Sequence, residues 1–279
     1  MLPIVTVSPS CSGKFVTFTQ IRFYSTKSID KLISLDEYLA RKKPKQDIIY
    51  YLSGDHKEAL NKSPLLQKLK NHDIEVLLLE DPIDEYCMNS LAEYNQTKVQ
   101  HAGKGDIKTF DDPDTEKRKV KKLQEMYKPL TEWWRRHLGK KVEKVDVATR
   151  LTESPCVVST SEYGYSANME RISRSQAFAN PDKMASYLLA RKVLEINPAH
   201  PIIKKMLEKV KEAGSAEPDP AIIELSDVLF DSASLNSGFA IDDASSYFEK
   251  VEKIVRKGLE IGDNAKIEEP YVDLTQEGK

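Results

Sequence analysis

The sequence predicts an α/β (α+β) fold, and three stretches carry that expectation. In "IEVLLLED", Val76 to Leu79 run apolar without a break. Such a strand needs cover on both faces, which a parallel sheet under helices provides. "DIIYYLSGD" is a β-branched and aromatic run ending in a turn, and reads as a second strand of the same unit. From residue 166 onward the chain falls into helical stretches opened by Pro or Asp and closed by Gly or Asn-Pro. The expected architecture is a small αβα unit followed by a mixed unit with a β-hairpin and a helical bundle.

In chain order, Ser34 caps a short helix through Leu35 and Leu39. After the first strand, "HKEALNKSPLLQKL" has helical spacing through Leu60, Leu65, Leu66 and Leu69. Asp81-Pro82 stops the second strand, and a helix follows from about Asp84. Residues 103–119 are polar and rich in glycine and charge, which predicts a loop. "KVKKLQEMYKPLTEWWRRHLG" predicts a helix interrupted near Pro129 and ended by Gly139.

The second unit opens at about Lys140. "KVEKVDVATRL" sets Val145 and Val147 on one face at period two, and Thr152-Glu153-Ser154-Pro155 turns the chain into "CVVST", which predicts a hairpin. Helices are then expected over 166–178, over 183–195, and from Pro201 to Gly214. Asp219 and Pro220 open the next, and Asp242 and Asp243 the last, with Phe248, Val251, Ile254, Val255 and Leu259 along one stripe. The opposing stripe holds Ile222, Val228, Leu229 and Leu235. Both stripes are wider than one helical hairpin covers. They close either on a second copy, as a four-helix bundle, or on the chain's own sheet.

Composition excludes several classes. With 279 residues the chain has room for two domains, and 40% hydrophobic against 31% charged residues places it far from a disordered composition. Forty-two basic and 44 acidic residues leave a net charge of −2, so no global field points to nucleic acid or an anionic membrane. The basic cluster Lys117-Arg118-Lys119 with Lys121-Lys122 stands beside Asp111, Asp112, Asp114 and Glu116 and reads as a solvated face. Cys11, Cys87 and Cys156 are scattered, and no CxxC or HExxH pattern occurs, so neither a disulfide framework nor a metal site is expected. No apolar run reaches the roughly 18–20 residues that cross a bilayer. The start, "MLPIVTVSPSCSGKFVTFTQ", lacks the basic region of a signal peptide. Its "SPSCSGKF" misses a phosphate loop at two positions, Ser8 and Phe15.

Four blocks carry a resemblance: "RFYSTKS…SLDEYLARKKPKQDIIYYLSGD", "PIDEYCMNSLAEY", "RLTESPCVVSTSEYGYSANMERI" and "LEINPAHPIIKKM". They resemble, in order and from about Ile21 to Ala265, the heat-shock ninety family of molecular chaperones. The resemblance implies that 21–138 is the end of a middle domain and 139–262 a C-terminal dimerisation and client-binding domain. Residues 1–20 read as a non-homologous segment and 263–279 as an acidic disordered tail. It implies a homodimer that binds partly folded client proteins, with co-chaperones as further partners. The family's ATP and magnesium site lies in a domain without counterpart here, so this chain is expected to bind no cofactor and to be no enzyme by itself.

The compartment signals divide. "LTEWWRRHLGKKVEKVDV" resembles plastid and mitochondrial members and "RLTESPC" the endoplasmic-reticulum member. The chain ends Thr275-Gln276-Glu277-Gly278-Lys279, neither the cytosolic Met-Glu-Glu-Val-Asp nor the reticulum Lys-Asp-Glu-Leu. An organelle is implied, with the cytoplasm as the alternative.

Two client-binding patches follow from the resemblance. One is Tyr165, Met169 and Ile172, on a helix that in the family projects between protomers. Tyr165 stands where Trp is usual, and Ser173 where a second Met is common. Methionine suits a promiscuous surface because its side chain adapts to varied partners. The bland alternative is an amphipathic face lying on the chain's own core. The other patch is Glu85, Tyr86 and Asn89, against the alternative of helix-start packing. A rival reading makes the first unit a nucleotide or small-ligand enzyme domain, with "HAGKGD" (His101 to Asp106) as phosphate loop. Another makes the chain a decoy that pairs with full-length members.

Overall fold

The computed structural model describes residues 21–105, 107, 113–161, 164–176, 192–214, 216–262 and 265. The first sheet has six strands: β1 (Phe23–Ser25), β2 (Ser28–Ile33), β3 (Ile48–Ser53), β4 (Val76–Leu79), β5 (Glu93–Tyr94) and β6 (Thr97–His101). Their order is β2-β1-β4-β3-β6-β5. The centre, β4-β3-β6, is parallel, and the margins are antiparallel.

Period-two alternation in β3 and β4 builds two cores. Ile48, Tyr50, Leu52, Val76 and Leu78 meet Leu60, Leu65, Leu66 and Leu69 from α2 (Lys57–Asn61), a 3₁₀ turn (Pro64–Leu66) and α3 (Gln67–Asn71). On the other face Ile49, Tyr51, Leu77 and Leu79 meet Leu35, Tyr38 and Met88 from α1 (Leu35–Arg41) and α4 (Pro82–Ser90). Each such side chain stabilises by about 1.5–3 kcal/mol when fully buried. Ser34 caps α1 in a capping box: its hydroxyl accepts from the Glu37 amide at 3.2 Å and its own amide donates to the Glu37 carboxylate at 2.7 Å. The helix expected through residue 69 is split at Ser63-Pro64, where the proline removes a donor. The helix after β4 starts at Pro82, with Asp81 as its cap.

The second sheet departs from the expected hairpin. Strands β7 (Lys144–Val147) and β8 (Cys156–Thr160) do not pair; β9 (Lys192–Ile196) lies between them, parallel to β7 and antiparallel to β8. Residues 192–195 of this five-residue strand were expected as helix. All five are buried, Lys192 and Glu195 in ion pairs with Glu170 and Arg150, and so short a mixed run fits either state. The remainder of that expected helix, 183–191, lies outside the described residues.

Helix α5 (Pro113–Leu138) begins inside the expected loop and runs through Pro129 without a break. Pro129 and Glu125 both lie on the exposed face, where water serves the carbonyl that the proline leaves without a donor. The inner face of α5 is Tyr127, Leu130, Trp133, Trp134 and Leu138, packed with Val145, Val158, Leu194 and Ile196 of the second sheet. By packing, α5 therefore belongs to the second core, although the sequence placed it at the end of the first unit. Around the same core stand α6 (Ala167–Gln176), α7 (Pro201–Ala213) and α8 (Pro220–Asn236), while α9 (Ala244–Gly258) follows α8 and gives no residue to it. Gly214 closes α7 at φ 61°, a left-handed value that favours glycine.

The two sheets are joined. The turn after β6 pairs with the end of β8: the Thr160 amide donates to Gly103 O at 3.0 Å and the Gly105 amide to Thr160 O at 3.3 Å. Arg150, 3% exposed, donates from Nε to Glu195 at 2.9 Å and from Nη1 to Ala102 O at 2.6 Å. Ala148, Leu151 and Val157 of the second unit pack into the core of the first.

Candidate functional site

Glu85 sits at the seam between the units. It lies one turn into α4, and its carboxylate, wholly buried, accepts from Ser53 at the end of β3 at 2.6 Å. From the other unit Ser166 and Asn168, at the start of α6, donate to the same carboxylate at 2.5 and 2.9 Å. Burial disfavours the charge of Glu85; the His101 ring and the three donors outweigh it and hold the carboxyl below its ordinary range. Burial pushes His101 down to about 4, against the attraction of Glu85, so its ring is neutral at neutral pH. Its Nδ1 accepts from the Gly103 amide at 3.0 Å, which leaves the proton on Nε2, 3.4 Å from the Ser53 hydroxyl. Tyr51 stands edge-on to that ring at 5.1 Å and donates to Asn89 at 2.9 Å.

This arrangement corrects two of the expected client contacts. Glu85 offers no surface, because α4 turns it inward onto three donors. Met169 is 7% exposed and lies against the chain's own interior. Tyr86 is 41% exposed, Asn89 is exposed, and Tyr165 and Ile172 are half-buried. Ile83, 59% exposed on the same helix as Tyr86, was not singled out from the sequence; its place one turn before Tyr86 is the signal that points to it. The two segments that the sequence named separately, 85–89 and 165–172, are brought together by the Glu85 bonds. An outer clasp, Arg171 to Asp55, ties α6 to the turn after β3.

A second surface lies on α8 and α9. No residue of α9 is buried, and Phe248, Val255 and Leu259 are 66%, 52% and 65% exposed. Leu235 is 45% exposed, while Val228, Val251 and Ile254 are half-buried. Ile222 and Leu229 pack partly against the second core, so that part of the α8 stripe serves the chain itself. Leu225 and Ile261 extend the apolar surface. Ion pairs edge it: Asp227 receives Lys250 at 2.7 Å and His137 at 2.6 Å, and Lys253 reaches Glu224 at 3.2 Å.

"HAGKGD" begins at the last residue of β6, and its amides are committed. Gly103 donates to His101 and Gly105 to Thr160. A phosphate loop needs such amides free to face the ligand. The "SPSCSGKF" segment lies outside the described residues, as does nearly all of the acidic tail. Among the described residues no group of three His, Cys, Asp or Glu side chains is placed to hold a metal, and no helix is long and apolar enough to cross a membrane.

Comparison with known proteins gives a consistent picture. The profile of the family described as Hsp90 protein matches residues 14–278. It therefore reaches into the first twenty residues, expected to be unrelated, and into the tail. An endoplasmin homolog of Catharanthus roseus is 40% identical over 260 residues, 93% of this chain and 30% of that protein. Endoplasmin homologs of Hordeum vulgare and Arabidopsis thaliana are each 39% identical over 250 residues, 89% of this chain and 30% and 29% of theirs. The chain thus spans under a third of the length of these relatives.

Proposed function

The chain belongs to the Hsp90 protein family, and on that premise we propose that it is a chaperone module which binds partly folded proteins and pairs with a second copy of itself. In this reading residues 21 to about 107 act as the end of a middle domain, and α5 together with residues 139–262 as the dimerising, client-binding domain. The likeness to endoplasmin homologs supports placement in the lumen of the endoplasmic reticulum. The observation that carries the proposal is the Glu85 junction: three donors from β3 and α6 meet one carboxylate of α4. It holds Tyr86 and Asn89 in register with Tyr165 and Ile172. An apolar, polar-tipped surface of this kind suits a segment neither folded nor fully apolar. Phe248, Val251, Ile254, Val255 and Leu259, with Val228, Leu229, Leu235 and Ile222, supply the contact between copies.

The chain carries no turnover of ATP in this reading, since the Gly103 and Gly105 amides of "HAGKGD" are spent on the fold. Replacing Tyr86→Ala together with Tyr165→Ala trims one exposed and one half-buried side chain that belong to none of the three hydrophobic cores. Suppression of aggregation of a partly unfolded test protein should fall several-fold, with circular dichroism and melting midpoint unchanged. Undiminished suppression by a folded double variant would remove this surface from the proposal.

A further inference from the structure

We infer that Asn95 is an acceptor for an N-linked glycan. The sequence holds two Asn-X-Ser/Thr triplets, Asn61-Lys62-Ser63 and Asn95-Gln96-Thr97. The fold treats them differently. Asn95 and Gln96 form the two-residue tip of the β5–β6 hairpin, with Tyr94 opposite Thr97 and Glu93 opposite Lys98. Both tip residues are left-handed, φ 46° and 61°, as a turn of this length between twisted strands requires. Both are exposed, and β5 is the outermost strand of its sheet, so a sugar leaving Asn95 meets solvent. Tyr94 fixes the hairpin from its inner side by donating to Asp36 at 2.8 Å. Asn61, by contrast, is half-buried at the end of α2, its Oδ1 wholly shielded, and its carbonyl accepts from Lys70. A glycan there would run into packed protein.

Thr97 sets the timing. Its hydroxyl is the third element of the triplet, yet in the folded chain it is 4% exposed and receives Lys42 at 3.3 Å. The triplet is therefore legible to a transferase only before the hairpin closes, while the attached sugar is tolerated after it closes. In the transfer, the amide nitrogen of Asn95 forms a bond to the anomeric carbon of a polyprenyl-diphosphate-linked oligosaccharide. The bond from that carbon to the diphosphate oxygen breaks, the polyprenyl diphosphate leaves with the electron pair, and the amide proton passes to a base of the transferase. No oxidation state changes. The sugar also shields the free edge of β5, which would otherwise offer unpaired backbone groups to another strand.

The inference rests on the lumenal reading above, and the experiment separates the two. The full chain is delivered to the reticulum of cultured eukaryotic cells behind an added cleavable signal, then purified. One mobility step, removed by peptide N-glycosidase with conversion of residue 95 to aspartate in the peptide mass, is expected. Asn95→Gln and Thr97→Val should abolish the step, and Asn61→Gln should keep it. A lumenal chain unmodified at 95, or modified at 61 alone, overturns the inference. A wrong compartment shows itself differently, as natural protein fractionating outside the reticulum, and leaves the lumenal result standing.

Discussion

At the scale of single residues the seam is held by groups that ionise. Glu85→Ala would leave the Ser53, Ser166 and Asn168 donors unmet in a dry site, a loss of about 3 kcal/mol, whereas Glu85→Gln keeps the volume and one acceptor and should cost less. Amide exchange in α6 should quicken in both, with the larger effect in the alanine variant. His101 gives the seam a pH dependence. Its folded value near 4 lies below the ordinary 6.5, so the unfolded chain takes up the proton first. Stability should accordingly fall as pH drops from about 6.5 to 4 and level off below, by up to about 3 kcal/mol in all. Glu85, depressed as well, adds loss in the same direction once the pH reaches its own range; Lys104 and Arg150 are the other charges acting on the ring. His101→Gln should flatten the upper part of a urea-midpoint profile between pH 7 and 4. A profile identical to the parent's would mean that the ring titrates normally.

At the scale of elements, what the sequence made legible was what repeats or punctuates. Ser34, Asp219 and Asp243 cap the helices they were expected to open, because a side-chain acceptor before an apolar stripe has one economical use; Asp81, expected only to stop β4, caps α4 as well. β3 and β4 were legible from apolar runs bounded by turns. β9 was not, since five consecutive buried residues carry no period, and its misreading turned a three-stranded sheet into a hairpin. The short margins β1, β2 and β5 carry too few buried residues to stand out. The same limit applied to the site: the resemblance singled out Glu85 and Met169, but only tertiary packing decides which side of a helix faces inward. Pro129 offers a test at this scale. The helix passes it on its wet face, so Pro129→Ala restores a backbone donor without new crowding. The variant should be more stable by about 1–3 kcal/mol in a denaturant titration. A neutral or destabilising result would mean that α5 needs the proline's local bend for its fit against the second sheet.

At the scale of the whole molecule, the proposed pairing would complete what one chain leaves open. The stripe on α9 recurs at three- and four-residue steps, and no residue on it is buried in a single chain. A two-fold contact doubles each substitution, so Val251→Asp puts two carboxylates into an apolar seam, costing several kcal/mol per dimer. Sedimentation equilibrium at micromolar concentration should give twice the 31.7 kDa chain mass for the parent and a monomer for the variant. The parent's melting midpoint should also rise with protein concentration, as linkage to association demands. A parent monomeric throughout would assign the α9 face to some other partner. Within one chain, Ala148, Leu151 and Val157 share the first sheet's core, so both sheets should melt in one transition.

The place of β9 between β7 and β8 also governs how the chain is made. A ribosome delivers β7 and β8 first, and neither can find its neighbour until residues 192–196 have left the exit tunnel. Until then two strands, 144–147 and 156–160, wait without the strand that joins them, the second held only at its end by the turn after β6, and α5 holds out its tryptophans to a sheet that does not yet exist. Nascent chains halted at residue 191 should therefore be cut by protease throughout the second unit and clump with one another, while those released past α7 should resist digestion. On the proposed reading, a module that shelters unfinished chains thus passes through a stage of being one.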